Sequence, residues 1–396
     1  MLFVGIDWAS EKHDLCFLAE DGRILSEFTI TDNLAGFHDL QARLMSFAEV
    51  KINIERSDGL LVEWLISQGY PIFITPTVVV AHRRPRRSKD DRGDAYLLAH
   101  LLRMGDPECR PLPRQSQVVE HLKHLTSAYD TVLQEQRRLT NRFVYALQRY
   151  FPAVLAAFRV PHGLTCLAFV ETYATPEAAQ VLSQADLVAF LRQNRYSHLY
   201  KAEVMYQVFQ APAPRSPFCE GYVASVKLLI PLLRCLYQQR KALEKQIVAV
   251  FNQHPEAAWW RSLPGAGGNL TPARLLAWIG DDRSRFPSPE VLQAVAGTVP
   301  VTRRSGKQLH VEFRHACSHQ LRAAADDLAR QSVKHSGWAK AYLNEQLARG
   351  HAAPRAYRAL ANRWLRIIWT LWQTNAPYDE NKHVANRSKR GSHPLR

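Results

Sequence analysis

Four acidic residues within the first hundred positions have types and spacing suited to metal chemistry. Asp7 ends the apolar run LFVGID, and Glu55 ends the run VKINIE. Asp91 and Asp94 are three residues apart at the start of the helical pattern that continues AYLLAHLLRMG, so their carboxylates share one helix face. Carboxylate oxygens are the ligands that Mg²⁺ prefers. Four carboxylates from two strands and one helix could hold two Mg²⁺ ions, a pair that activates a nucleophile and stabilises a leaving oxygen in phosphoryl transfer.

The same acids also have a simpler explanation. Acidic residues in the first turn of a helix stabilise it through the helix dipole alone, and an isolated aspartate at a strand end is ordinarily solvated. The segment HRRPRRSK, residues 82–89, lies immediately upstream and would draw phosphates to such a cluster, although exposed basic loops are common. Its predicted nucleic-acid contacts are Arg83, Arg84, Arg86, Arg87 and Lys89.

The elements around these acids predict a mixed α/β sheet. HDLCFLAEDGRILSEFTI is typical of two strands joined by a turn at Asp21 and Gly22. Helical and strand patterns then alternate through LAGFHDLQARLMSFA, VKINIERS, GLLVEWLISQG and PIFITPT. In such a sheet the ligand site lies at the strand ends, where Asp7 and Glu55 are expected.

Composition narrows the class of protein. The chain has 396 residues and a formal net charge of +15, which favours a nucleic-acid partner, although a membrane surface or plain solubility would also fit. No apolar run of about 18 residues is present and the first residues form a strand pattern, so we expect a cytoplasmic protein without a membrane anchor, associated with the nucleoid during action. The length favours two or three domains.

The middle of the chain is predicted to be helical and to serve architecture and assembly. A heptad seam of coiled-coil type runs through Leu122, Leu125, Tyr129, Val132, Gln136, Leu139, Phe143, Ala146 and Tyr150. A second long helix covers residues 222–251, with a possible kink at Pro231. The two helices could pack on each other, or one could pair across a dimer.

The last third contains a glycine-rich turn and a serine among cations. Gly265 and Gly267 precede a helix whose predicted start is Thr271 and Pro272, and bare backbone N–H groups there would suit a DNA phosphate. Ser305 stands in TRRSGK, close to Arg303, Arg304 and Lys307. Those cations would stabilise charge on a phosphate attacked by the serine, although a loop serine is usually a turn residue.

Together these motifs identify a family resemblance. The chain resembles, over nearly its full length, the DEDD insertion-sequence transposases, which are also known as bridge-RNA-guided serine recombinases. The resemblance rests on GIDWASEKHD, on IER at Glu55, on KDDRGDAYLLA and on LPGAG, RFPSPEVLQAVAGTVP, SGK and RHACSHQLR near the C-terminus. It implies an RNase H-like (RuvC-like) domain over residues 1–113, a helical coiled-coil insertion over 114–255, a mainly helical transposase domain over 256–380 and a basic disordered tail over 381–396.

The resemblance also implies a reaction. The DEDD tetrad would be Asp7, Glu55, Asp91 and Asp94, holding Mg²⁺, and the nucleophile would be Ser305, which forms a phosphoserine link to DNA. A structured guide RNA would select target and donor DNA by base pairing. The active site would be assembled from different protomers of a tetramer built from dimers.

The chain departs from the family pattern at one place, and two alternative functions stay open. Many relatives carry a Lys-x-Gly-Asn stretch where this chain has HACSHQLR, which makes Ser318 a rival nucleophile. An RNase H-like nuclease or junction resolvase would cut by activated water without a covalent intermediate. A nucleic-acid-binding scaffold would need no catalytic acid at all.

Overall fold

The computed structural model describes residues 1–84, 91–113, 115–212, 216–265, 268–305 and 308–389, without the side chains of Arg303, Ser305, Leu309 and residues 386–389. The chain forms two compact units, Met1–Arg114 and Gln115–Arg396. The predicted boundaries at residues 255 and 380 fall inside the second unit and stay predictions.

The first unit is built on a six-stranded mixed sheet with the order β3-β2-β1-β4-β5-β6. Its strands are β1 (Leu2–Asp7), β2 (Lys12–Ala19), β3 (Ile24–Thr31), β4 (Val50–Ile54), β5 (Ile72–Ile74) and β6 (Arg110–Pro111). β1, β2 and β3 form an antiparallel meander, β4 and β5 continue from β1 in parallel, and β6 closes the edge antiparallel to β5. The predicted mixed α/β sheet is confirmed, and this arrangement is consistent with an RNase H-like DEDD domain.

Helices cover both faces of this sheet. The helices are α1 (Leu34–Leu44), α2 (Leu60–Ser67), α3 (Thr77–Arg83) and α4 (Asp91–Arg103). α1 and α2 pack on the face that carries Val4, Ile6 and Ile52. α4 packs on the other face through Ala95 and Ala99, because side chains alternate between the faces of a strand.

The approach of α4 to β1 depends on Gly5. A Cβ atom built at Gly5 would lie 1.9 Å from the carbonyl oxygen of Ala95 and 2.4 Å from the amide nitrogen of Ala99. Both are backbone atoms of a helix and cannot move aside independently. Only glycine therefore lets α4 lie this close to the strand that ends at Asp7.

We expect Gly5→Ala to lower the free energy of unfolding by about 3 kcal/mol, because the added methyl group overpacks a backbone contact. Thermal or urea-induced unfolding of the full chain measures it. The matched control is Gly221→Ala, inside a helix where a Cβ atom meets nothing within 4 Å, and there we expect no loss of stability. Unchanged unfolding of Gly5→Ala would show that α4 does not need the close approach.

The second unit is mainly helical. Its helices are α5 (Gln117–Tyr150), α6 (Pro152–Ala157), α7 (Leu164–Thr172), α8 (Pro176–Gln180), α9 (Gln184–Gln193), α10 (Ala202–Gln210), α11 (Cys219–Phe251), α12 (Ala257–Arg261), α13 (Leu270–Ile279), α14 (Pro289–Val295), α15 (His319–Ser332), α16 (Gly337–Ala348), α17 (Ala353–Gln373) and α18 (Glu380–Lys389). A hairpin of β7 (Val301–Ser305) and β8 (Gln308–Glu312) interrupts the helices.

α5 and α11 pack along each other within one chain, in antiparallel directions. The Tyr129 hydroxyl donates to Glu244 at 3.4 Å near one end, and the rings of Tyr150 and Tyr222 stack near the other. The first of the two pairings left open by the sequence, packing of the helices on each other, is therefore observed, and pairing across a dimer stays a prediction. Gln136, the amide-bearing member of the predicted heptad seam, is buried, and its Nε2 has no hydrogen-bond partner among the described residues. Coiled-coil geometry itself stays a prediction.

α13, α15 and α17 share the core of the C-terminal part. Trp364 and Trp372 of α17 are fully buried in it. The predicted start of α13 was wrong, because the helix begins at Leu270 with Asn269 as N-cap in a left-handed conformation (φ 56°). Among the described helices, none combines the length and the hydropathy that crossing a lipid bilayer requires.

Candidate active site

The strand register directs the first two acids towards α4. Gly5 pairs with Asn53 across β1 and β4, and both face α4. Asp7 lies two residues beyond Gly5 in β1, so strand alternation puts its carboxylate on that face as well. Glu55 directly follows β4, two residues beyond Asn53. Because β1 and β4 pair in parallel, their carboxyl ends lie side by side.

The first turn of α4 completes the cluster. Asp7, Asp91 and Asp94 each offer a carboxylate oxygen, and these oxygens lie within 4.8 Å of one another. Asp91 is exposed, whereas Asp7 and Asp94 are only 9% and 2% exposed. Glu55 is half-buried and lies outside this group of three. The structure therefore brings together three of the four predicted acids, from one strand end and one helix turn.

Arg84, directly after α3, reaches into the carboxylate cluster. Its Nε donates to one oxygen of Asp94 at 2.6 Å, and its Nη2 donates to the other oxygen. This hydrogen bonding, with the charges of Asp94, Glu55 and Asp7, raises the pKa of Arg84 above its ordinary value despite partial burial. The guanidinium therefore offsets the negative charge of the cluster.

The cluster fits a divalent metal ion. Its donors are hard carboxylate oxygens, close enough to share one cation, and the burial of Asp94 makes an uncompensated charge there costly. Helix capping alone does not explain Asp94, because its carboxylate is buried and bound by a guanidinium. Asp7, Asp91 and Asp94 could thus hold the metal, with Glu55 near the edge of the site.

The buried side-chain amide of Asn53, which was not among the predicted site residues, holds α4 against the sheet beside these strand ends. Asn53 is fully buried, and its Nδ2 donates to the backbone oxygen of Leu98 in α4 at 2.8 Å. Its Oδ1 accepts from Thr75 Oγ1 at 3.0 Å. A polar residue inside the apolar run VKINI is the signal that could have identified it.

The residues predicted to contact nucleic acid differ in their surroundings in the structure. Arg83 pairs with Asp106 at 3.1 Å, and Arg84 pairs with Asp94, so both bind protein carboxylates in this structure. Arg304 is exposed on β7. Five predicted contacts lie outside the described residues, namely Arg86, Arg87, Lys89, Gly267 and Lys307. The side chain of Arg303 lies outside them as well.

Ser305 is the last residue of β7 and pairs with Gln308 at the end of the hairpin. Phe313 directly follows β8, at the base of the hairpin, and its ring is exposed. The guanidinium groups of Arg322 and Arg358 lie over this ring, at 4.3 Å and 4.5 Å from its centroid. The half-buried carboxylate of Asp326 lies near both arginines. Burial raises its pKa, and the attraction of these cations opposes that rise. The hairpin is thus attached to α15 and α17 through a basic surface.

Two other predicted residues have structural roles. Ser318 is the N-cap of α15, and its Oγ accepts from the amide of Leu321 at 3.2 Å. Gly265 has a positive φ of 83°, and a Cβ atom there would lie 2.6 Å from the Cβ of Gln331 in α15. Tight packing therefore requires glycine at position 265.

Comparisons with known proteins agree with this architecture. A family model of the DEDD transposases of IS110 matches residues 4–152, and a model described as the transposase IS116/IS110/IS902 family matches residues 259–344. The chain is 30% identical to the "Mini-circle putative transposase for IS117" of Streptomyces coelicolor, over 97% of both chains. It is 24% identical to the 42 kDa protein of insertion element IS900 from Mycobacterium paratuberculosis, over 95% of this chain and 97% of that one. The chain therefore belongs to the IS110/IS116 family of DEDD insertion-sequence transposases.

Proposed function

We propose that this transposase cuts and rejoins target and donor DNA through a phosphoserine intermediate on Ser305. The observation that carries the proposal is the carboxylate cluster of Asp7, Asp91 and Asp94, with Glu55 beside it. The same protein has the hairpin of β7 and β8, in which Ser305 stands among basic residues. Bound Mg²⁺, two ions in this proposal, would stabilise charge on the phosphate. Asp7, Asp91 and Asp94 would hold the metal, and the cations around the hairpin would attract the DNA backbone.

The proposed exchange conserves the phosphodiester bond energy. Ser305 Oγ attacks the phosphorus and a serine–phosphate bond forms, while the bond from phosphorus to one deoxyribose oxygen breaks. The serine proton passes in net to that departing oxygen, which leaves as a deoxyribose hydroxyl. A deoxyribose hydroxyl of the other DNA then attacks the phosphoserine and releases the serine. No nucleotide hydrolysis is needed, in agreement with a chain that contains no GxxxxGK[ST] motif.

The family resemblance supports the remaining parts of the proposal. A structured guide RNA would select target and donor DNA by base pairing, so the protein would read duplex shape and backbone. A tetramer built from dimers would combine the carboxylates of one protomer with Ser305 of another. The net charge of +15 suits both nucleic acids.

A covalent protein–DNA adduct tests the proposal. The full chain would be incubated with Mg²⁺, the element's own noncoding RNA and its junction DNA, and the products separated on a denaturing gel. We expect an adduct that EDTA prevents. Cleavage without an adduct would instead support a metal-dependent nuclease or junction resolvase, a function favoured by the formation of the carboxylate cluster within one compact unit.

Asn53→Ala is expected to weaken Mg²⁺ binding about tenfold, because α4 loses its hydrogen bond to the sheet and Asp91 and Asp94 shift relative to Asp7. Titration calorimetry of the purified full chain measures the affinity. Asn194→Ala is the control, since it removes a side-chain bond to the Phe190 carbonyl in the second unit and should leave Mg²⁺ binding unchanged. Equal affinities of Asn53→Ala and wild type would exclude this positioning role.

A further inference from the structure

The contact of Arg84 with Asp94 has a consequence for metal loading. Both oxygens of Asp94 accept from the same guanidinium, and Asp94 is one of the three acids whose oxygens lie within 4.8 Å of one another. The guanidinium is therefore beside the position that a shared divalent ion would take. We propose that Arg84 is a resident counter-cation of the carboxylate cluster, which a divalent metal ion displaces when it binds. This inference rests on the proposed metal-dependent function.

Burial explains why the carboxylate of Asp94 needs a cation beside it. Asp94 is 2% exposed, so water cannot screen its charge from Asp7 and Asp91. Arginine suits this task, because its planar fork matches both oxygens of a carboxylate and it stays charged at any physiological pH. A chain without Arg84 and without metal would leave the buried carboxylate of Asp94 without the guanidinium that it binds in this structure.

Competition follows from charge and geometry. Both oxygens of Asp94 accept hydrogen bonds from Arg84, one from Nε and one from Nη2. A divalent ion bound to the same carboxylate would be repelled by the positive charge of the guanidinium. Metal and Arg84 therefore stabilise the same acids in alternative states. Arg84 lies directly after α3, whose last residue is Arg83, so its backbone can shift without unwinding a helix interior.

The adjacent arginine provides a contrast within the same segment. Arg83 pairs with Asp106 at 3.1 Å, and Asp106 does not belong to the carboxylate cluster. Its ion pair should therefore be present with and without metal. Arg83→Met is consequently a matched control, one residue away and with the same change of side chain.

Thermal unfolding with and without metal tests the displacement. In EDTA, we expect Arg84→Met to unfold at a lower temperature than wild type, because the buried carboxylate of Asp94 has lost its guanidinium partner. In saturating Mg²⁺ this difference should disappear, because the ion has replaced the guanidinium. A merely structural Arg84 would lower the unfolding temperature equally in both conditions, and that result would overturn the inference. Arg83→Met should show the same small effect in both.

Metal affinity supplies the second measurement. If Arg84 occupies the cluster in about 90% of molecules, its removal should tighten the apparent Kd for Mg²⁺ about tenfold. Arg84→Lys keeps the charge without the fork and should give an intermediate affinity, and it remains informative if Arg84→Met does not fold. Unchanged or weaker Mg²⁺ binding in these variants would contradict displacement.

The two proposals fail in distinguishable ways. If wild type binds Mg²⁺ and Asp7→Asn does not, the metal site is supported. The Arg84 variants then decide only whether the metal displaces Arg84. If neither wild type nor Asp7→Asn binds Mg²⁺ or Mn²⁺, the metal-dependent function fails and the inference fails with it.

Discussion

Asp7→Asn is expected to reduce Mg²⁺-dependent DNA cleavage about 10³-fold, because the amide keeps the shape of the side chain but removes the charge that holds the metal. Asp7 ends β1, is 9% exposed and shares the cluster with Asp91 and Asp94. Gel separation of radiolabelled junction DNA after single-turnover reaction would measure the loss.

The control for Asp7→Asn is another aspartate of the same unit. Asp39 lies on α1, on the opposite face of the sheet, and pairs with Arg43 on the same helix at 3.1 Å. Asp39→Asn should therefore cleave like wild type. Full cleavage by Asp7→Asn would remove the carboxylate cluster from the mechanism. A nucleic-acid-binding scaffold predicts no cleavage by any version of the chain.

Ser305→Ala is expected to abolish the covalent adduct and strand rejoining while leaving DNA and RNA binding intact. The oxygen that would bond to phosphorus is absent in this variant, whereas the cations beside the hairpin remain. Adduct formation on a denaturing gel and binding by gel shift measure the two properties separately. Metal-dependent cleavage that persists in Ser305→Ala would favour the nuclease or resolvase.

The rival nucleophile can be tested without unfolding α15. Ser318 caps that helix, so Ser318→Ala would cost about 1 kcal/mol of stability and confuse the result. Ser318→Asn retains a capping side chain but no hydroxyl, and we expect it to form the adduct normally. An adduct that disappears in Ser318→Asn and persists in Ser305→Ala would transfer the proposed role to Ser318.

Local patterns predicted much of the fold. The strand patterns of HDLCFLAEDGRILSEFTI and the turn at Asp21 and Gly22 were sufficient for the hairpin of β2 and β3, because strand patterns and turn chemistry are properties of neighbouring residues. The same reasoning put Asp91 and Asp94 on one face of α4. It failed at the start of α13, where Asn269 occupies the N-cap position in a left-handed conformation, without a side-chain capping bond, which the Thr-Pro pattern did not indicate.

By itself, the sequence determined the mixed α/β class, the acids at strand ends, the long helices and the family. These depend on residue type and short-range spacing, and the family also on motifs distributed along the chain. Only the tertiary structure decided which groups meet. It paired Arg84 with Asp94, set Gly5 against the backbone of α4 and joined Asn53 to Leu98. Such contacts depend on the packing of distant segments, which local periodicity does not encode.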